Sequence, residues 1–212
     1  MPKLVYFPLM GRAQAIRYLL HAKGVSFEDE MLTFEQWPAV KAANTYGEGA
    51  QLPVYVADDG TVYRQSVAIL KMLAYEHGYG TENAQQEYEQ EWFGSTVVDM
   101  IEKKPERFVI MKDGPTEEEL TAGTKVFTDF LAKVDARLAD GRAHMVGDKI
   151  TATDFAMLAF ITSCYENSNL KHAAMKEAVA AALAGSSNVQ RVMAPIRELC
   201  AAGIAAAPQA PI

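Results

Sequence analysis

The residues with the most chemistry to offer are Tyr6, Gly11-Arg12, Trp37, Lys41, Gln51-Leu52-Pro53 and Gln65-Ser66, mostly polar positions at the ends of strand-like runs and the starts of helical ones. A phenol titrates near ~10, so at neutral pH it serves an anion as a hydrogen-bond donor and does not act as a base. A serine at a helix start adds free backbone amides, which attract negative charge. Taken singly, each has a plainer reading: Tyr6 as a packing aromatic, Arg12 as a surface cation, Trp37 as the anchor of a short helix, Ser66 as an N-cap. Other chemistries find no support. His21, His77, His144 and His172 share no ligand-like spacing, no Ser-His-Asp or Cys-His set is visible, and Cys164 and Cys200 lie far apart without a CxxC. We therefore expect no metal site and two core thiols kept in a reducing compartment.

The elements that must position these residues can be read from periodicity. Leu4-Val5-Tyr6-Phe7 is a buried strand ended by Pro8, with Tyr6 near its end. From Arg12 to Lys23, Ala15, Ile16, Leu19 and Leu20 recur at helical spacing, and Gly24 follows as a cap. Val25, Phe27 and Met31 mark a second strand, and Thr33 with Gln36 opens a short helix through Trp37 to Lys41. Val54-Tyr55-Val56 and Val62-Tyr63-Arg64 flank the turn Asp58-Asp59-Gly60 as a hairpin. Ser66 then caps a helix whose apolar positions Val67, Ile69, Leu70, Leu73 and Ala74 run to Gly78. The order β-α-β-α-β-β-α makes one compact α/β domain over residues 1–79, with ligands expected at strand ends.

Past Gly80 the texture changes to helix. The stretches Tyr88 to Lys104, Thr116 to Leu138, Ala152 to Glu166 and Leu170 to Leu183 predict an all-helical domain over 80–212. Thr151 and Asp154 form a capping pair whose loss would cost about 1 kcal/mol, a structural role. The chain has 212 residues, half of them hydrophobic, and a formal net charge of -7 spread along its length without a basic cluster. It should fold unaided, and nucleic acid is not an expected partner. No apolar run suggests export or membrane anchoring, so a cytoplasmic location is expected.

The ordered set resembles the cytosolic glutathione S-transferases of the tyrosine type, nearest in spacing to the sigma class. The resemblance spans the chain: Tyr6-Phe7, Gly11-Arg12-Ala13, Trp37-Pro38, Gln51-Leu52-Pro53, Gln65-Ser66, and Gly147-Asp148-Lys149-Ile150-Thr151-Ala152-Thr153-Asp154. It implies a thioredoxin-like N-terminal domain, an all-α C-terminal domain, glutathione as co-substrate, a small hydrophobic electrophile as partner, and a homodimer. On this likeness Tyr6 bonds the glutathione sulfur and Arg12 lies near it. Trp37 and Lys41 contact the glycine end, Gln51 and Leu52, ahead of a cis Pro53, pair with the cysteinyl part, and Gln65 and Ser66 grip the γ-glutamyl end. Asp99 reaches the γ-glutamyl amine across the dimer interface.

Two departures stand out. Where the family often carries Arg-Gly-Arg-Ala-Glu, this chain has Met10-Gly11-Arg12-Ala13-Gln14, and the stretch Asn44 to Ala50 is longer than the sigma-class loop. Met10, Phe108 and Met111 fit either a pocket for an apolar electrophile or ordinary core filling, the commoner use of Met and Phe. The implied activity is conjugation of the glutathione thiolate to hydrophobic electrophiles. The alternatives are a glutathione-dependent isomerase of the prostaglandin-converting kind and a non-catalytic ligand carrier or lens crystallin-like protein.

Overall fold

The computed structural model describes residues 1–208. Its first half follows the expected order: β1 (Lys3–Tyr6), α1 (Gln14–Ala22), β2 (Glu28–Met31), α2 (Trp37–Ala42), β3 (Val54–Val56), β4 (Val62–Arg64) and α3 (Ser66–Glu76). The strands form one sheet in the order β2-β1-β3-β4, with β2 parallel to β1 and the other pairs antiparallel. Side chains alternate along β1, so Leu4 and Tyr6 join the large core while Val5 joins a smaller cluster with Leu32 and Val54, packed against Trp37 and Val40 of α2. The hairpin turn closes with Gly60 at φ 85°, a conformation that suits glycine.

Register gathers the candidate residues. Val5 lies opposite Val54, and Val54 opposite Arg64, so the positions one step further, Tyr6, Pro53 and Gln65, meet at one end of the sheet. Tyr6 is also paired with Met31 at the end of β2, from which Thr33 and Gln36 lead into α2 through reciprocal hydrogen bonds of 2.8 and 3.2 Å.

Three local expectations change. Ser66 is the first residue of α3 and makes no side-chain cap; Gln65 holds the cap position with φ 75°, so the turn out of β4 is made one residue earlier. Val67, placed by periodicity on the buried stripe, is 61% exposed because its side faces the mouth of a cavity and not the sheet. The second strand begins only at Glu28, and Met31 is exposed at its end.

The second half contains α4 (Ala84–Val97), which continues as a π-helical segment Val98–Glu102, then α5 (Glu117–Arg137), α6 (Ala152–Cys164), α7 (Ala173–Gly185), α8 (Ser187–Leu199) and α9 (Ala201–Ala205). Neither α8 nor α9 is expected from periodicity, because Pro195 interrupts the first and alanine and glycine dominate the second. Leu170 falls in a turn ahead of α7, its amide bonded to the Asn167 carbonyl. Helix α6 is buried nearly all round and packs on α1, where the Tyr18 hydroxyl donates to Thr162 at 2.9 Å. The two halves therefore share one continuous core. Among the described residues, no helix is long and apolar enough to cross a membrane.

Candidate active site

Tyr6 ends β1 with only 7% of its surface exposed, and the turn that follows folds back over its ring. Gly11 makes this possible: its φ is 39°, and an added Cβ would lie 2.6 Å from the Tyr6 hydroxyl. Close approach lets the Arg12 amide donate to that hydroxyl at 3.1 Å. The bond occupies an oxygen lone pair and leaves the phenolic proton free for another acceptor. Beneath the turn, Arg17 is almost wholly buried; it holds Asp29 with bonds of 2.8 and 3.2 Å and donates to the Leu9 carbonyl at 2.9 Å. Its guanidinium carbon lies 5.9 Å from the Tyr6 ring centre.

A cavity of about 740 Å³ opens in front of Tyr6, between the sheet domain and helices α4 to α6. Tyr6, Arg12 and Ser66 line it together. Its walls are largely apolar, with Phe7 and the exposed Phe34 stacked at 4.4 Å on one side and Phe108 and Met111 on the other. Met10, considered for the same wall, is buried instead and lies behind it, its sulfur 3.6 Å from the Ser163 hydroxyl.

The Arg12 side chain does not point at the phenol. Its Nη2 donates to Glu102 Oε1 at 2.8 Å, an ion pair that joins the two halves across the cavity. In the middle of α3, Lys71 is held by Glu87 and by Glu91, the latter at 2.5 Å; burial works against the ammonium, and these carboxylates outweigh it to keep its pKa above the ordinary value.

The remaining sequence candidates sit around this centre. Trp37 is half-buried over the small cluster, Lys41 and Gln51 are exposed, and Leu52 precedes a cis peptide at the buried Pro53. By register Pro53 and Gln65 share the sheet end of Tyr6, and none of Trp37, Lys41, Gln51, Leu52, Pro53 and Gln65 is on the cavity wall. The long loop before Gln51 is tied down by Arg64, whose Nη1 donates to the Glu48 carbonyl at 2.9 Å. Asp99 lies outside, on the π-helical segment, where the hydrogen bond and charge of Lys103 lower its pKa. Gln14, which replaces the family's acid, is buried beside Arg17, away from the cavity wall.

A match of 30% identity over 169 residues, covering 75% of this chain and 76% of the relative, links it to a glutathione S-transferase class-mu 28 kDa isozyme of Schistosoma bovis. The chain belongs to the glutathione S-transferase family. A second relative of this transferase is a hematopoietic prostaglandin D synthase of Gallus gallus, 31% identical over 147 residues that cover 69% and 67% of the two chains. The solved glutathione S-transferase of Ascaris lumbricoides has the same thioredoxin-like and helical architecture along both entire chains, with a TM-score of 0.80 and 25% identity. No family model matches the chain.

Sequence reasoning missed Arg17, Lys71, Glu102 and the Phe7–Phe34 stack of the transferase. Only Arg17 left a trace, as a charge beside the apolar stripe of α1; the others depend on which helix faces which. Both cysteines are free. Cys164 keeps some surface toward the cavity, yet burial of its sulfur pushes the thiol up to about 12, and burial does the same to Cys200. We expect neither to be alkylated by iodoacetamide in the folded transferase at pH 7.5, and both to react in denaturant. Intact-mass spectrometry reads the difference, and rapid native labelling of either would contradict the burial argument.

Proposed function

We propose that this transferase binds glutathione along the open end of its sheet, uses the Tyr6 phenol to hold the sulfur as a thiolate, and adds that thiolate to small apolar electrophiles in the cavity. The observation that carries the reading is the Arg12 amide bonded to the Tyr6 hydroxyl, which leaves the phenolic proton available beside an apolar chamber. Trp37 and Lys41 would meet the glycine end, Gln51, Leu52 and Pro53 the cysteinyl backbone, and Gln65, Ser66 and the start of α3 the γ-glutamyl carboxylate. Asp99 would reach the γ-glutamyl amine of a second copy in a homodimer. The domain boundary falls between residues 79 and 80, and the protein works in the cytoplasm.

The energetics suffice. A free thiol titrates near ~8.5, and lowering it by two units takes about 2.7 kcal/mol. A charge-assisted hydrogen bond from the phenol contributes ~1.5 to 3 kcal/mol and the helix start that follows Gly11 ~0.3 to 1. With its guanidinium committed to Glu102, Arg12 acts here through its backbone amide.

The assignment nearest the sigma class rests on motif spacing. A class-mu relative is as similar as the prostaglandin D synthase, and the latter supports isomerisation as a second reading. Capture on immobilised glutathione and spectrophotometric conjugation of a neutral aryl halide test the first. Capture with turnover supports it, capture without turnover favours an isomerase or a carrier, and absence of capture removes all of them.

A further inference from the structure

The charges that face the cavity are unevenly paired. Lys71 meets two carboxylates, Glu87 and Glu91. Across the chamber two guanidinium groups meet one residue, and its carboxylate serves only the first: Glu102 takes Arg12 through Oε1 at 2.8 Å, whereas Arg107 donates to the Glu102 backbone carbonyl. Among the described residues Arg107 makes no ion pair with a carboxylate, although it lines the cavity and is half-buried. Its guanidinium is nevertheless held in place, by that carbonyl and by the Phe108 ring, whose centre is 4.0 Å away. Glu102, which contacts both arginines, ends the π-helical segment Val98–Glu102, and such local departures from α geometry are frequent at functional sites.

An oriented but unneutralised guanidinium on an apolar wall matches a molecule that is apolar along its body and anionic at one end, since Arg forms charge-assisted pairs with carboxylates. We infer that the preferred acceptors of this transferase carry a carboxylate, and that Arg107 is the residue that holds it. The inference rests on the cavity being the acceptor site. A neutral acceptor fills the same chamber without using Arg107, and a strongly polar one gains nothing from Phe34, Phe108 and Met111.

An aryl enone bearing an oxyacetic acid, compared with its methyl ester, isolates this contact. In both, the sulfur adds to the β-carbon and the α-carbon takes a proton from solvent, so nothing leaves and the reacting centre is the same. Each catalysed rate is divided by its uncatalysed rate. The acid is expected to exceed the ester by about tenfold in kcat/KM, mainly through KM, with the ratio falling to about one in Arg107→Gln and kept in part by Arg107→Lys. Equal treatment of acid and ester by the wild-type protein, or a parallel loss of both in Arg107→Gln, would overturn the assignment. Calorimetry with the saturated, unreactive acid and ester gives an answer independent of turnover: tighter binding of the acid, lost in Arg107→Gln, supports it, and equal binding overturns it. Failure to conjugate the enones and a neutral aryl halide alike would count against the transferase reading, and the calorimetric result would still decide the carboxylate contact.

Discussion

Tyr6→Phe is expected to lower kcat with a generic electrophile by about 10- to 100-fold while leaving the KM for glutathione within about twofold. The range is the ~1.5 to 3 kcal/mol of a hydrogen bond to a charged group, converted at 1.36 kcal/mol per decade. The ring itself packs under the Gly11 turn and Arg17, and phenylalanine keeps that packing, so binding should survive. What disappears is the donor to the sulfur, and with it the acceptor of the Arg12 amide. The thiolate absorbance of the binary complex, followed against pH, should titrate one to two units higher in the variant, the same free energy read at equilibrium. An unchanged titration with a reduced rate would show that the phenol acts on something other than the sulfur, and an unchanged rate would remove Tyr6 from the chemistry.

The second large effect is on stability. Asp154 at the start of α6 is fully buried and accepts three hydrogen bonds: from the Met145 amide at 3.0 Å, the Thr151 amide at 2.7 Å and the Thr151 hydroxyl at 3.0 Å. Burial pushes its carboxyl up, and these donors work in the opposite direction. A capping pair considered by itself is worth about 1 kcal/mol. Here Asp154→Ala strands two buried amides at ~1 to 3 kcal/mol each, so a loss of about 3 to 5 kcal/mol is expected, or a fall in Tm of about 10 °C. Thr151→Ala, which removes one hydroxyl, should cost about 1 kcal/mol. Thermal unfolding of the two variants side by side tests the difference; similar small losses would mean that water replaces the carboxylate at this helix start. Neither substitution touches the cavity wall lined by Tyr6 and Arg12, so glutathione binding at low temperature should be retained.

The local order of the chain was legible before any coordinates. The apolar, β-forming run Leu4-Val5-Tyr6-Phe7, the Asp59-Gly60 turn and the Thr33–Gln36 and Thr151–Asp154 pairs are short-range features, set by backbone sterics and by hydrogen bonds between residues a few positions apart. They were enough to predict a compact α/β domain followed by helices, which the family resemblance made thioredoxin-like; the register of the strands in the folded sheet is what brings Tyr6, Pro53 and Gln65 to one end. Where local signals were weak the reading failed, as for α8 with its internal Pro195 and the small-residue α9.

What only the tertiary structure decided is the set of partners across the chamber. Arg12 is far nearer in sequence to Tyr6 than to any acid, yet its guanidinium turns to Glu102, ninety residues away. Arg17 is buried because Asp29 and the Leu9 carbonyl surround it, and Arg107 meets the backbone carbonyl of Glu102 while the carboxylate of that residue pairs with Arg12. Periodicity states which face of a helix is apolar, whereas the identity of the opposing charge depends on how helices from distant parts of the chain stack. That stacking is fixed by close packing of the shared core, to which every buried side chain contributes at once.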